Sequence, residues 1–386
     1  MITGDYATFN SYQLRDVTSP VSPSIIKSQE PKVFCLTHPT QFEQFFYNPL
    51  RVCVVHHGHI SVMSTMRAMG WSRTGSGEAP KLFHIDLPEP GAGQVKVKVV
   101  CSALNPADRK VAAGELAGRF LHARVSPLIL GYDFSGVIDS GPGMADLEIG
   151  DEVFGFLPYS PGTRQGAFAE FVVVDRGAIG RKPKDISHET AAAAATPGLT
   201  ALQFLRDLGQ LKAGGKVLII GASGGVGSLA IGIAKRLGGH ATALCSAHAI
   251  DYVRGLGADV VADRSKQDPL AIDGPFDVVF DLTAAYSYLA FRSRIGARGA
   301  FVSTLPSLSI FIGKAVAALS GQRCAFGSVR PTSSDLEQLA RWLGGGLRVP
   351  ISARFQVNDL GSALATLAKG GVHGRIAMQV EGGFES

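Results

Sequence analysis

Lys216-Val217-Leu218-Ile219-Ile220-Gly221-Ala222-Ser223-Gly224-Gly225-Val226-Gly227 is the stretch on which the reading of this chain turns. Val217 to Ile220 is an unbroken apolar run, the pattern of a strand buried on both faces. Glycines crowd into the turn that follows. Ser228 to Leu237 (SLAIGIAKRL) then keeps apolar residues at helical spacing and stops at Gly238-Gly239. Strand, glycine turn and helix together open a dinucleotide-binding unit. Bare glycines let backbone N–H groups approach a pyrophosphate, and the helix N-terminus offers it a partial positive charge. The spacing is Ala222-x-Gly224-x-x-Gly227, with alanine where the usual fingerprint has its first glycine. An isolated glycine cluster also suits an ordinary tight connection. The flanking strand and helix are what point to a nucleotide site made of Gly221, Ala222, Ser223, Gly224, Gly225, Val226 and Gly227.

Working outward, the alternation of strand and helix continues downstream. Strands are expected at 217–220, 241–245, 259–262, 277–281, 300–304 and 324–329, with helices at 226–237, 247–255, 286–295 and 309–319. This rhythm predicts a Rossmann-type doubly wound parallel sheet with right-handed crossovers. Helices at 333–343 and 358–369 and a last strand at 375–380 close the chain. Upstream, 189–208 is alanine-rich and helical, with a break expected at Thr196-Pro197-Gly198. Further upstream the pattern is strand-rich, at 94–100, 131–138, 150–155 and 166–174. Between the first two, 101–110 reads as a polar turn leading into a helix. Short strands with Gly and Pro turns at this spacing predict a barrel-like β domain.

Residues 1–62 mix Pro, Ser, Thr and aromatics without a period, and are expected to be a poorly ordered extension with a short strand within 51–63. His56, His57 and His59 lie close together, but no nearby carboxylate or cysteine pair completes a metal site. Met63 and Met66 stand just before the patterned region, and translation is expected to start there.

At 386 residues the chain has room for two domains, and 46% hydrophobic with 18% charged residues describes a globular protein. The net charge of +5 comes from scattered Lys and Arg, so no nucleic-acid surface is expected. Five cysteines, Cys35, Cys53, Cys101, Cys245 and Cys324, are widely spaced and form no CxxC pair. Free thiols in a reducing, cytoplasmic compartment are the simplest expectation. No apolar run is long enough to span a bilayer.

The order NPADRK, GYDFSGVI, GDEVFG, GAFAEFVVV, TPGLTAL, GASGGVG and HGRIAMQV resembles the medium-chain dehydrogenase/reductase superfamily, and looks most like its zinc-free quinone and enoyl reductase branch. The resemblance runs from about Met66 to Val380. It implies a GroES-like catalytic domain over 66–186, completed by 331–386, a dinucleotide domain over 187–330, and an active site in the cleft between them. It also implies a homodimer joined through the dinucleotide lobes. Zinc-dependent relatives carry a ligand cysteine where Asn105 stands and a histidine where Tyr132 stands, and an amide and a phenol are poor zinc ligands. The region 194–198 lacks Cys and His, and 141–166 lacks the cysteines of a structural zinc loop.

The expected cofactor is NADP(H). An NAD site usually ends its second strand with an acid that holds the ribose hydroxyls. Here 241–245 runs into Ser246-Ala247-His248 instead. Ser246 can donate to a 2′-phosphate, and Arg264 falls where related reductases touch that phosphate. A plain helix cap and a solvated surface charge are their ordinary alternatives. The resemblance also makes Asn105 a polar group beside the nicotinamide whose NH2 can donate to an oxyanion, Lys110 a donor to ribose or carbonyl, Tyr132 a proton donor, and Thr196 and Thr200 nicotinamide-side contacts. Turn-forming, exposed, core and capping roles stay open for each of them. Three functions follow: a zinc-independent reductase of quinones or α,β-unsaturated carbonyls, a trans-acting enoyl-thioester reductase, or a silent NADPH-binding protein. In the first case the partner is a small electrophile, and the pocket walls come from 111–130 and 305–320.

Overall fold

The computed structural model describes residues 34–36, 52–56, 59–115, 118, 120–142 and 147–384. The chain divides into two units, Met1–Thr65 and Met66–Ser386. In the first, Phe34–Leu36 runs parallel to Val52–His56, which pairs antiparallel with His59–Met63. The single strand expected within 51–63 is therefore a hairpin. The rest of the expected 1–62 extension lies outside the described residues.

The second unit carries the six-stranded parallel sheet that the glycine stretch announces. From edge to edge it runs Val260–Asp263, His240–Cys245, Lys216–Ile220, Phe276–Asp281, Ile295–Ser303, Arg323–Phe326. The sequence order reverses beside Lys216–Ile220, and ligands bind at such a reversal in open α/β sheets. Val217 to Ile220 are at most 2% exposed. Val217 and Ile219 pack into one core with Leu229, Ile233 and Ala194, while Leu218 and Ile220 pack into another with Tyr288, Phe291 and Ile310. The run is apolar without alternation because helices cover both faces. Each such side chain contributes roughly 1.5–3 kcal/mol by its burial.

The upstream sheet is built around Gln94–Leu104. Asp133–Ser140 and Arg375–Gln379 flank it, Phe171–Asp175 also pairs with it, and Glu152–Phe156, Ile179–Arg181 and Ile351–Gln356 extend the sheet outward. Ile376 pairs with Leu104, so the end of the chain completes a sheet begun near its start. A small third sheet joins Lys81–Asp86, Thr65–Trp71 and Leu128–Ile129.

Three expectations are corrected. Residues 101–104, expected as turn, continue the strand, because Cys101, Ala103 and Leu104 are buried against its neighbours. Ile351–Gln356 was not expected as a strand; its intermediate and exposed residues alternate, without the buried apolar run that marks a central strand. The helix His188–Gln203 runs through Pro197 without the expected break. Proline removes the N–H that Ala193 O would accept. Arg375 Nε donates to that oxygen instead, at 3.1 Å, and the Thr196 N–H turns to Asp133 Oδ1 at 2.8 Å. Two side chains from the other sheet thus satisfy the backbone groups that a mid-helix proline disturbs.

Candidate functional site

A cleft of about 620 Å³ opens at the carboxyl end of Lys216–Ile220. One wall is the glycine turn: Gly221, Ser223, Gly224, Gly225, Val226 and Gly227 all line it. Ala222 lies beneath, fully buried in the core. Gly221 has φ +87°, a left-handed conformation that only glycine adopts without strain. A Cβ on Gly227 would come within 2.3 Å of Gly221 O, so the helix Gly225–Arg236 can start this close only on glycine. No side chain caps that helix, and its first turn faces the cleft. The turn therefore fits a pyrophosphate: uncapped N–H groups, a helix dipole and no side chain in the way.

The opposite wall rests on buried polar groups. Asn105, Asp108, Asp133 and Arg375 are each at most 4% exposed. Asn105 precedes the helix Pro106–Ala112, and its own N–H donates to Asp108 Oδ2 at 2.7 Å. Its Nδ2 donates to Asp133 Oδ2 at 2.9 Å and, at 3.4 Å, to Ala103 O, while its Oδ1 accepts from Arg375 Nη1 at 2.9 Å. Arg375 Nη2 also pairs with Asp133 Oδ2. Burial pushes the Asp133 carboxyl up, and the Arg375 guanidinium, the Thr196 hydroxyl, the Asn105 amide and the Thr196 N–H pull against it. Asp108 is raised to about 7 by burial, against the N–H groups of Asn105 and Gly131. This knot reaches the other wall: the Gly374 N–H donates to Ser223 O at 3.0 Å, and Arg375 lies against Gly225.

Of the residues singled out by sequence, Asn105, Lys110, Thr196 and Thr200 line the cleft together with the glycine turn. Thr200 Oγ1 donates to Thr196 O at 2.7 Å. Lys110 is half-buried, and its side chain makes no hydrogen bond or ion pair among the described residues. Tyr132 lies behind the wall, 1% exposed, with its hydroxyl donating to Leu121 O at 3.0 Å, and burial pushes its phenol well up. Ser246 and Arg264 follow neighbouring strands whose ends, Cys245 and Asp263, are in register, and the Arg264 N–H donates to Cys245 O at 2.9 Å. They stand beyond the cleft lining, with Arg264 exposed.

Several residues at the site carried no readable signal in the sequence. Arg375 lies 270 positions from Asn105 and reads as one more basic residue in a strand. Tyr159 lines the cleft, with its ring centroid 4.3 Å from that of Tyr132. His373 stacks on His248 and Tyr252, each at 5.1 Å between centroids, which brings the loop before Arg375 up to the segment after the second strand. Among the described residues no group of three or more His, Cys, Asp or Glu is placed to hold a metal.

Known proteins resemble this chain in sequence and fold. Residues 91–184 match the family model of the alcohol dehydrogenase GroES-like domain, and 256–378 match that of zinc-binding dehydrogenases. A trans-enoyl reductase, pgmF, of Aspergillus terreus is 34% identical over 357 residues, covering 84% of this chain and 99% of the relative. The chain belongs to the medium-chain dehydrogenase/reductase superfamily. A chloroplast envelope quinone oxidoreductase homolog of Arabidopsis thaliana is 32% identical over 253 residues, 62% of this chain and 75% of its own length. The solved quinone oxidoreductase of Coxiella burnetii superposes with a TM-score of 0.72 at 29% identity, covering 82% of this chain and all of that one. As a member of the superfamily the chain is an oxidoreductase with a nicotinamide cofactor, built from a doubly wound parallel sheet and a GroES-like β domain.

Proposed function

We propose that this chain is a zinc-independent, NADPH-dependent reductase of quinones or α,β-unsaturated carbonyls. The observation that carries the reading is the pairing of walls: an uncapped glycine turn faces a surface whose polar side chains are tied to one another. Zinc finds poor donors there. At the two positions that hold ligands in zinc-dependent relatives stand an amide bonded through both its oxygen and its nitrogen, and a phenol already given to a carbonyl.

NADPH, once bound, supplies a hydride. The protein's own contribution is placement. Gly224 to Gly227 receive the pyrophosphate, Ser246 and Arg264 take the 2′-phosphate, and Thr196 and Thr200 border the nicotinamide. Lys110 reaches the ribose or the acceptor. The second strand ends at Cys245-Ser246 without a carboxylate that would repel the phosphate. Kinetics with both cofactors test this assignment: kcat/KM with NADPH should exceed that with NADH, and the reverse order overturns it.

A specific similarity favours a second reading, a trans-acting enoyl-thioester reductase, because the Aspergillus relative is matched over nearly its full length. Activity confined to thioesters would select it. Tight NADPH binding without turnover on a broad acceptor panel would select a silent binding protein. The proposal includes a homodimer through the dinucleotide lobe, where the edge strand Arg323–Phe326 lies open beside a helix that exposes Leu308, Phe311, Ile312 and Leu319. Sedimentation that finds only monomer would remove it. It also includes a cytoplasmic location, with which the free, buried Cys101, Cys245 and Cys324 agree. Cell fractionation checks that point. Among the described residues no helix is long and apolar enough to cross a membrane.

A further inference from the structure

The chemistry proposed above needs a donor at the acceptor's oxygen, for which the residues singled out by sequence offer Lys110 but neither Asn105 nor Tyr132. When an enone or quinone accepts hydride, negative charge grows on its carbonyl oxygen, and a fixed donor there lowers the barrier. Asn105 has its amide hydrogens engaged by Asp133 and Ala103. Tyr132 gives its hydroxyl to Leu121 O and stands outside the lining.

Tyr159 differs on each count. It lines the same cleft as the glycine turn, Lys110 and Thr196. Its ring is tilted against that of Tyr132, at 4.3 Å, and that of Phe156, at 6.3 Å between centroids. The group beside its hydroxyl is the Thr196 hydroxyl. Thr196 Oγ1 is itself buried, faces Asp133 as well as Tyr159, and meets neither at full hydrogen-bonding geometry. A buried hydroxyl is expected to be bonded. Here the hydroxyl beside Thr196 at the cleft wall is a phenol set against two other aromatic rings.

We propose that Tyr159 is the catalytic residue that donates a hydrogen bond to the acceptor's carbonyl oxygen, with Thr196 as its neighbour in that site. The inference rests on the reductase reading above. Burial, with Asp133 and Asp108 nearby, holds the phenol well above its usual range, so it stays protonated and donates without releasing its proton. The acceptor gains a hydride from reduced nicotinamide at its β-carbon. Its C=C electrons shift toward oxygen, which Tyr159 steadies, and a proton from water then forms the C–H bond at the α-carbon. The acceptor is reduced by two electrons and the nicotinamide is oxidised by two.

The test uses Tyr159→Phe, which keeps the ring and removes the donor. Its probe is p-dimethylaminocinnamaldehyde, an enal whose absorption moves to the red when its oxygen accepts a hydrogen bond. With oxidised cofactor present, so that nothing turns over, the wild type and Tyr132→Phe should shift the band, and Tyr159→Phe should not. In turnover, kcat of Tyr159→Phe should fall on the order of a hundredfold. NADPH affinity and melting temperature should match the wild type. A Tyr159→Phe variant that keeps the shift and kcat overturns the proposal, as does one that loses NADPH binding or melting temperature along with activity. A shift lost in Lys110→Met and kept in Tyr159→Phe moves the role to the lysine. If the wild type reduces no enone or quinone, the parent reading fails and this inference falls with it. If the wild type is active and Tyr159→Phe is equally so, this inference alone fails.

Discussion

On one wall of the cleft, residues 221–227 present backbone, with glycine at four of seven positions and no side-chain cap on the helix that follows. On the other, Asn105, Asp108, Asp133 and Arg375 present charged and amide side chains, all nearly sealed from water. The first wall works by leaving the start of its helix without a side-chain cap, the second by leaving almost nothing free. A ligand gains hydrogen bonds from the glycine turn. From the polar knot it gains a stiff surface, because every group there already answers to another.

The sharpest way to break this contrast is Arg375→Met, which strands the Asp133 carboxyl in a buried site. It should cost about 3–5 kcal/mol of stability in urea unfolding. Adding Asp133→Asn should return part of the loss. If Arg375→Met unfolds like the wild type, the knot is not what stiffens that wall.

Next in size, Gly227→Ala forces a Cβ to within 2.3 Å of Gly221 O, and should cost about 1–3 kcal/mol together with NADPH binding. Gly224→Ala is the companion: its Cβ meets only Gly221 O, at 3.5 Å, so the melting temperature should hold. Equal stability losses in the two variants would deny the close strand–helix approach.

A smaller effect is expected at the nucleotide's far end. Ser246→Asp sets a negative charge where a 2′-phosphate is proposed, and should move the NADPH-to-NADH ratio of kcat/KM about tenfold toward NADH. An unchanged ratio would remove Ser246 from the site.

The smallest concerns acid. Burial lowers His122 from its ordinary 6.5 to about 4, and its Nε2 is buried without a partner. Below pH 6.5 the unfolded chain takes up a proton that the folded one refuses. Stability therefore falls with pH across that window, by about 1 kcal/mol for this group between pH 6.5 and 5.5. His122→Phe should flatten that part of the urea-midpoint profile, and an unaltered slope would show that the imidazole charges freely in the fold.

The same contrast explains what could be read in advance. The backbone wall was legible because its constraint is local: a short approach between Gly221 and Gly227 demands glycine within seven residues, and the demand shows in the sequence. The alternation downstream was legible for the same reason, since burial on both faces leaves a continuous apolar run such as Val217 to Ile220. The side-chain wall was only half legible. Asn105 and Asp108 belong to one motif, but Arg375 meets Asp133 across 242 positions, and nothing near either residue announces the other. Tyr132 was singled out and Tyr159 was not, because a motif names a position and says little about which of two neighbouring phenols lines the cleft. The unbroken helix at Pro197 was missed on the same ground, since the donor that replaces the proline's missing N–H comes from the final strand.

That donor has a consequence for biosynthesis. Until Arg375 leaves the ribosome, Ala193 O has no donor and Leu104 lacks its Ile376 partner, so a chain made only to that point holds its helix and its first sheet incomplete. Nascent chains stalled just before residue 375 should be open to protease around 193–197, and emergence of the strand Arg375–Gln379 should close that window in a single step.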